Sequence, residues 1–128
     1  MSRVLVVDDD EAIREVLVQS LEDAQFETDA VGNGRGALKA LCAASAEDRP
    51  YDAMVLDIIM PDVDGWDVLE AVKHNPLWRE MPVVVVSGHT NGASDVARVS
   101  SYDGFFVEKS GNFVEIIRSA LGRILQAA

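Results

Sequence analysis

The sequence holds a single cysteine, Cys42, among 128 residues, so no internal disulfide can brace the fold. Cys42 lies in an Ala/Leu-rich stretch, where a small buried apolar side chain is expected rather than a reactive thiol. Histidine is almost as scarce, with two residues, and without a cysteine cluster beside them a zinc site is not expected. Apolar runs are short. The runs Val4–Val7 and Val83–Val86, like every other, fall far below the length needed to cross a bilayer, so no membrane association is expected. The opening residues, MSRVLVVDDD, run straight into acids and lack the shape of a signal peptide, which makes a cytoplasmic location the expectation. Cations are in deficit. Eleven Lys and Arg against 22 Asp and Glu give a formal net charge of −11. Such a surface repels phosphate backbones and argues against direct nucleic-acid binding. It equally suits a domain kept in solution by acidic faces. There is no repeat, low-complexity tract or Pro/Gly linker, so residues 1–128 are expected to form one compact domain.

What is present is a core-forming composition, 48% hydrophobic, arranged in alternating short β-branched runs and stretches of helical period. Arg3–Val7 is a continuous apolar run of the kind buried on both faces of a sheet. Glu11–Glu22 carries Ile13, Val16, Leu17 and Leu21 in one stripe. Phe26–Val31 reads as a short strand, and Gly34–Ala44 as a helix with Ala37, Leu38 and Leu41 inward. Ala53–Leu56 is a strand ending at Asp57. Gly65–His74 is helical, with Val68, Leu69 and Val72 on one side. Pro82–Val86 and Phe105–Val107 are the remaining strands. Asn112 caps a closing helix that buries Phe113, Ile116, Ile117, Leu121 and Ile124. The stretch 89–103, rich in Ser, Asn and Gly, predicts a short, mobile or distorted helix in which only Val96, Ala97 and Val99 face a core. Five strand–helix repeats argue for an α/β, doubly wound, five-stranded parallel sheet with helices on both faces.

In doubly wound sheets, ligands bind beyond the carboxyl ends of the strands. Asp8 and Asp9 follow the first strand, Asp57 ends the third, Ser87 follows the fourth, and Lys109 follows the fifth. If the strands take the flavodoxin-like order 2-1-3-4-5, the first and third are neighbours and three carboxylates converge. Converging carboxylates need protonation, a basic side chain or a divalent cation to offset their repulsion. Hard oxygen ligands with room for waters favour Mg2+. The competing reading of Asp8, Asp9 and Asp10 is a helix cap in a favourable dipole. Lys109 and Ser87 favour the chemical reading, because an ammonium and a hydroxyl suit a phosphoryl group on an aspartyl carboxylate. His74, near a helix end before Asn75-Pro76, reads as solvated rather than metal-binding. Trp66 and Trp78 read as packing residues at helix ends.

These residues resemble those of the two-component response-regulator receiver family. VVDDD at 6–10 resembles its acidic pair, and DIIMPDVDG at 57–65 its phosphoacceptor signature. Ser87-Gly88 resembles its hydroxyl followed by a small residue, Lys109 its lysine, and Phe106 its switch aromatic. The resemblance runs from Arg3 to Leu125 and implies the chemotaxis-receiver fold, (βα)5 with strand order 2-1-3-4-5. It implies that Asp57 accepts a phosphoryl group from a sensor histidine kinase or a histidine phosphotransfer protein. It further implies Mg2+ on Asp8, Asp9, Asp57 and the backbone carbonyl of Ile59, with Ser87 and Lys109 contacting the phosphoryl oxygens. Ser87 and Phe106 would then form a packing switch that docks a downstream protein target. Ile59 and His89 fall where receivers tune hydrolysis. Ile59 cannot hold an attacking water, so slow loss of phosphate is expected.

Three departures bear on this reading. Ser110 stands where the family usually has proline, so a trans Lys109–Ser110 bond is expected, because a cis bond without proline costs about 2.5–4 kcal/mol. Tyr102-Asp103 replaces the usual Gly-Ala, and Phe106 lacks the hydroxyl a tyrosine would offer. A receiver fold that signals without phosphate, through constitutive contacts, is the alternative these departures leave open. A phosphatase with an aspartyl intermediate is a further one, disfavoured because Asp57-Ile58-Ile59 lacks a second acid. No output region is expected in this chain, either because it is a stand-alone receiver or because it is a piece of a larger regulator. Its oligomeric state is left open.

Overall fold

Ten elements alternate strictly between strand and helix in a computed structural model of the chain, which describes residues 1–60, 63–88 and 93–126. The strands are β1 (Arg3–Val7), β2 (Glu27–Val31), β3 (Ala53–Asp57), β4 (Val83–Ser87) and β5 (Phe105–Glu108). The helices are α1 (Glu11–Asp23), α2 (Gly34–Ala46), α3 (Gly65–Lys73), α4 (Ala93–Ser101) and α5 (Phe113–Gln126). All strand pairs are parallel and the sheet order is β2-β1-β3-β4-β5. This is the flavodoxin-like order read from the resemblance.

The central strands β1, β3 and β4 are apolar along almost their whole length because both faces are covered. Leu5, Val7, Met54, Leu56, Val83 and Val85 pack on one face with α2, α3 and Val99 of α4. Val4, Val6, Ala53, Val55, Val84 and Val86 pack on the other with α1 and α5, through Leu17, Leu21, Ile117 and Leu121. The helices start on side-chain caps. Asp10 accepts from the Ile13 N–H, Asn33 from Gly36, and Asp64 and Asp67 close a reciprocal capping box at α3. At α5, the Asn112 carbonyl accepts from the Ile116 N–H at 3.2 Å.

Several packing expectations need correction. Cys42 is exposed. The buried stripe of α2 falls on Gly34, Ala37, Leu41 and Ala44, and Cys42 stands one residue past it. Val16 and Ile116 are also exposed, because Leu17, Leu21, Ile117 and Leu121 fill the seam beneath α1 and α5. Helix α4 forms despite its composition, but of its three apolar candidates only Val99 is buried, while Val96 and Ala97 face outward. A second tie holds α4: the Arg98 guanidinium lies 4.0 Å from the Trp66 ring centre, across from the start of α3. Trp66 and Trp78 are half-buried against the core, as packing residues, and the Trp78 indole donates to the Ser45 hydroxyl at 3.0 Å. His74 caps the C-terminus of α3, its Nδ1 2.8 Å from the Glu70 carbonyl. Asp103, before β5, has φ of 58°, a left-handed conformation that aspartate tolerates better than most residues. The Lys109–Ser110 bond is trans.

Candidate functional site

Register places the chemistry. Val7 pairs with Leu56 and Asp57 with Val86, so β1, β3 and β4 end at one level and release Asp8, Asp57 and Ser87 at the same rim. Ser87 pairs with Glu108, and the Lys109 N–H donates to the Ser87 carbonyl at 2.9 Å, which carries Lys109 to that rim from β5. Asp9, Asp10, Ile13, Asp57, Ile59, Gly88 and Lys109 line an open cleft of about 510 Å3 above it.

Asp8 and Asp57 are almost wholly enclosed, with relative exposures of 2% and 4%. The Asp8 Oδ1 accepts from the Asp10 N–H at 2.8 Å, and its Oδ2 lies 3.0 Å from Lys109 Nζ. The Asp57 Oδ1 accepts from the Ile59 N–H at 3.2 Å, and its Oδ2 lies 3.4 Å from the same Nζ. Lys109 therefore bridges both acids and lies nearer Asp8. The contact with Asp8 adds to the place at a phosphoryl group on Asp57 that the sequence implies for Lys109.

One ammonium does not satisfy this set of carboxylates. Burial, and then the neighbouring Asp8 charge, push the Asp57 carboxyl up to about 6, while Lys109 and the Ile59 N–H pull the other way. Burial works against the Lys109 ammonium, but its hydrogen bond to Asp8 and the Asp57 and Asp8 charges outweigh that and hold its pKa above the ordinary value. Carboxylate oxygens of Asp8, Asp9 and Asp57 lie within 4.8 Å of one another, two buried and one exposed. That donor set fits a hard divalent cation that keeps several waters.

The loop after Asp57 is held by close backbone approach. A side chain at Gly65 would begin 2.4 Å from the Asp57 carbonyl oxygen and 2.4 Å from Ile58 Cα. The Gly65 N–H donates to the Ile58 carbonyl at 2.9 Å. Helix α3 can start there only because residue 65 has no Cβ.

Ser87 is buried at the end of β4. Phe106 is half-buried on β5, paired with Val85, and packs against the apolar cluster under the α2–α3 face. Ile59 is half exposed at the mouth of the cleft. His89 lies outside the described residues. One residue went unnoticed in the sequence: Arg14, one turn into α1, donates from Nη1 to the Asp8 backbone carbonyl at 2.8 Å. A lone cation among Glu11 and Glu15 was the available signal, but on a helix such a residue ordinarily reads as a solvated charge pair.

The family model described as response regulator receiver domain matches residues 4–120. A putative response regulator NtrX-like protein of Rickettsia conorii is 36% identical over 114 residues, covering 85% of this chain and 22% of that protein. The chain thus spans less than a quarter of the length of that relative. Among solved structures, the signal receiver domain of a histidine kinase from Syntrophus aciditrophicus superposes with a TM-score of 0.84 at 28% identity, covering 100% of this chain and 92% of that one. The phosphorylated cyanobacterial phytochrome response regulator RcpA shares the fold, with a TM-score of 0.85 at 24% identity and coverage of 99% and 96%. No helix among the described residues is long and apolar enough to cross a membrane.

Proposed function

As this chain belongs to the response regulator receiver domain family of two-component systems, we propose that it acts as a phosphorylation switch whose phosphoacceptor is Asp57. The observation that carries the reading is the convergence of Asp8, Asp9, Asp57 and Lys109 on one open cleft at the strand ends. An Asp57 carboxylate oxygen attacks the phosphorus of a phosphohistidine on a sensor kinase or phosphotransfer protein. A P–O bond forms as the donor P–N bond breaks, and the imidazole leaves with the electron pair. Such transfer depends on in-line positioning and on neutralising charge more than on acid–base chemistry.

Asp8, Asp9 and Asp57, with the Ile59 carbonyl, would hold Mg2+, which supplies positive charge against the incoming phosphoryl oxygens. Lys109 is already poised between Asp8 and Asp57 and turns to the phosphoryl group once it is attached. Ser87, enclosed at the end of β4 beside Gly88, offers a hydroxyl to the same group. Phe106, on the strand next to β4, is placed to repack when Ser87 moves, which alters the α4–β5 surface offered to a downstream protein target. Ile59, apolar at the cleft mouth, does not orient a water for hydrolysis, and the phospho-form persists longer for it. The domain is a signalling module and not a turnover enzyme, and it acts without direct contact to nucleic acid.

The test is intact-mass measurement after incubation with Mg2+ and a small acyl phosphate. A gain of about 80 Da that requires Mg2+ and disappears in Asp57→Asn supports the reading. No gain with several donors favours a phosphate-independent docking module, and rapid turnover of the donor favours a phosphatase.

A further inference from the structure

Asp8 and Asp9 are consecutive, so the peptide plane between them decides how their two carboxylates are set relative to each other. The Asp8 carboxylate is anchored on both oxygens, by the Asp10 N–H at 2.8 Å and Lys109 at 3.0 Å. The Asp8 N–H, on the preceding Val7–Asp8 peptide, donates to the Val31 carbonyl at 3.2 Å. The Asp9 side chain lies in solvent, so its aim follows from the backbone that carries it. The carbonyl of the Asp8–Asp9 peptide is that of Asp8, and it accepts from Arg14 Nη1 at 2.8 Å.

The guanidinium has a seat built for it. A Cβ at Gly32, just past the end of β2, would lie 3.0 Å from Arg14 Nη1, 3.6 Å from its Cζ and 4.0 Å from the Asp8 carbonyl oxygen. The space left by the missing side chain at residue 32 is thus the space Arg14 occupies. Arg14 is partly buried, with its stem along α1 and its head in the crook between the ends of β1 and β2. A charge-assisted hydrogen bond to a carbonyl is stronger than a neutral one and resists rotation of the peptide that bears it.

We infer that Arg14 is a positioning residue for the divalent-cation site: seated against Gly32, it locks the Asp8–Asp9 peptide so that Asp9 converges with Asp8 and Asp57. This rests on the reading of that cluster as a metal site. Groups that orient metal ligands affect affinity without touching the metal.

The test is isothermal titration of the full chain with Mg2+, comparing wild type with Arg14→Met and Gly32→Ala, alongside melting temperatures. Arg14→Met is expected to weaken Mg2+ binding about tenfold. Gly32→Ala, which crowds the guanidinium while keeping it, is expected to weaken binding in the same direction and less. The rate of phosphorylation by a small acyl phosphate should recover at saturating Mg2+ to within about twofold of wild type, because the lost affinity is made up by concentration. A merely structural arginine would lower the melting temperature and leave Mg2+ affinity unchanged, and that result in Arg14→Met overturns the inference. If Arg14→Met does not fold, Gly32→Ala decides in the same way. Absence of Mg2+ binding in the wild type would instead remove the metal site itself, and so the reading beneath.

Discussion

Replacing Asp57 with asparagine should stabilise the metal-free protein at pH 8, although it deletes half of an ion pair. The sign follows from the surroundings of the carboxyl. Asp57 is enclosed and faces the Asp8 charge, and these two effects outweigh Lys109, so its pKa rises from 3.8 to about 6. A carboxyl whose folded pKa lies above its unfolded one binds more protons when folded, so between those two values stability falls as pH rises. Above pH 6 the folded state holds the charged form at a penalty of about 1.4 kcal/mol per pK unit, or about 3 kcal/mol in all. Asparagine has no charge to hold but keeps an acceptor for the Ile59 N–H, and Lys109 keeps Asp8 at 3.0 Å. The expected gain is about 1–3 kcal/mol at pH 8, shrinking below pH 6 and gone only below about pH 3, where wild-type Asp57 is protonated in both states. Urea denaturation followed by circular dichroism in chelator, at pH 8, 6 and 4.5, measures it directly. An Asp57→Asn variant no more stable than wild type at pH 8, or a gap that widens as pH falls, would refute the reasoning.

Other perturbations separate packing from chemistry. Gly65→Ala drives a methyl into the Asp57 carbonyl and Ile58 Cα at 2.4 Å, and should cost about 1–3 kcal/mol in urea denaturation while slowing phosphorylation. Asp9→Asn, at an exposed position, should leave metal-free stability within about 0.5 kcal/mol of wild type but abolish most of the melting-temperature rise that millimolar Mg2+ confers. Arg98→Met removes the guanidinium 4.0 Å from the Trp66 ring, and should speed hydrogen exchange in α4 while leaving α1 and α5 unchanged.

Much of this was legible in the sequence because period and position carry it. The all-apolar runs of β1, β3 and β4 announced strands buried on both faces, and the acids, hydroxyl and lysine sat one step past the strand ends, where register brings them level. Helix faces were less legible. Val16 and Leu17 are neighbours of similar hydropathy, and only the seam with α5 decides which is covered. Cys42 is apolar by type but one position off the stripe of α2. Helix α4 looked weak because propensity counts only local terms, whereas Arg98 on Trp66 and the burial of Val99 are tertiary. Arg14 was missed for a related reason. Its partner is a backbone carbonyl six residues away, across a strand–helix turn, and no spacing rule registers a main-chain acceptor. Lys109 is legible as a partner of the phosphoryl oxygens on Asp57, but its nearer attachment to Asp8 depends on side-chain reach from β5, which sequence order does not express.

The central claim is that the group carrying the phosphoryl is Asp57 and no other residue of the cluster. Borohydride reduction of the phosphorylated protein, followed by peptide mass spectrometry, tests it residue by residue, since an acyl phosphate is reduced to an alcohol while an unmodified carboxylate or a phosphorylated hydroxyl is not. The account predicts that Asp57 alone is converted, and only when Mg2+ was present during phosphorylation. Conversion at Asp8 or Asp9, or phosphate retained on Ser87 with Asp57 untouched, would contradict it.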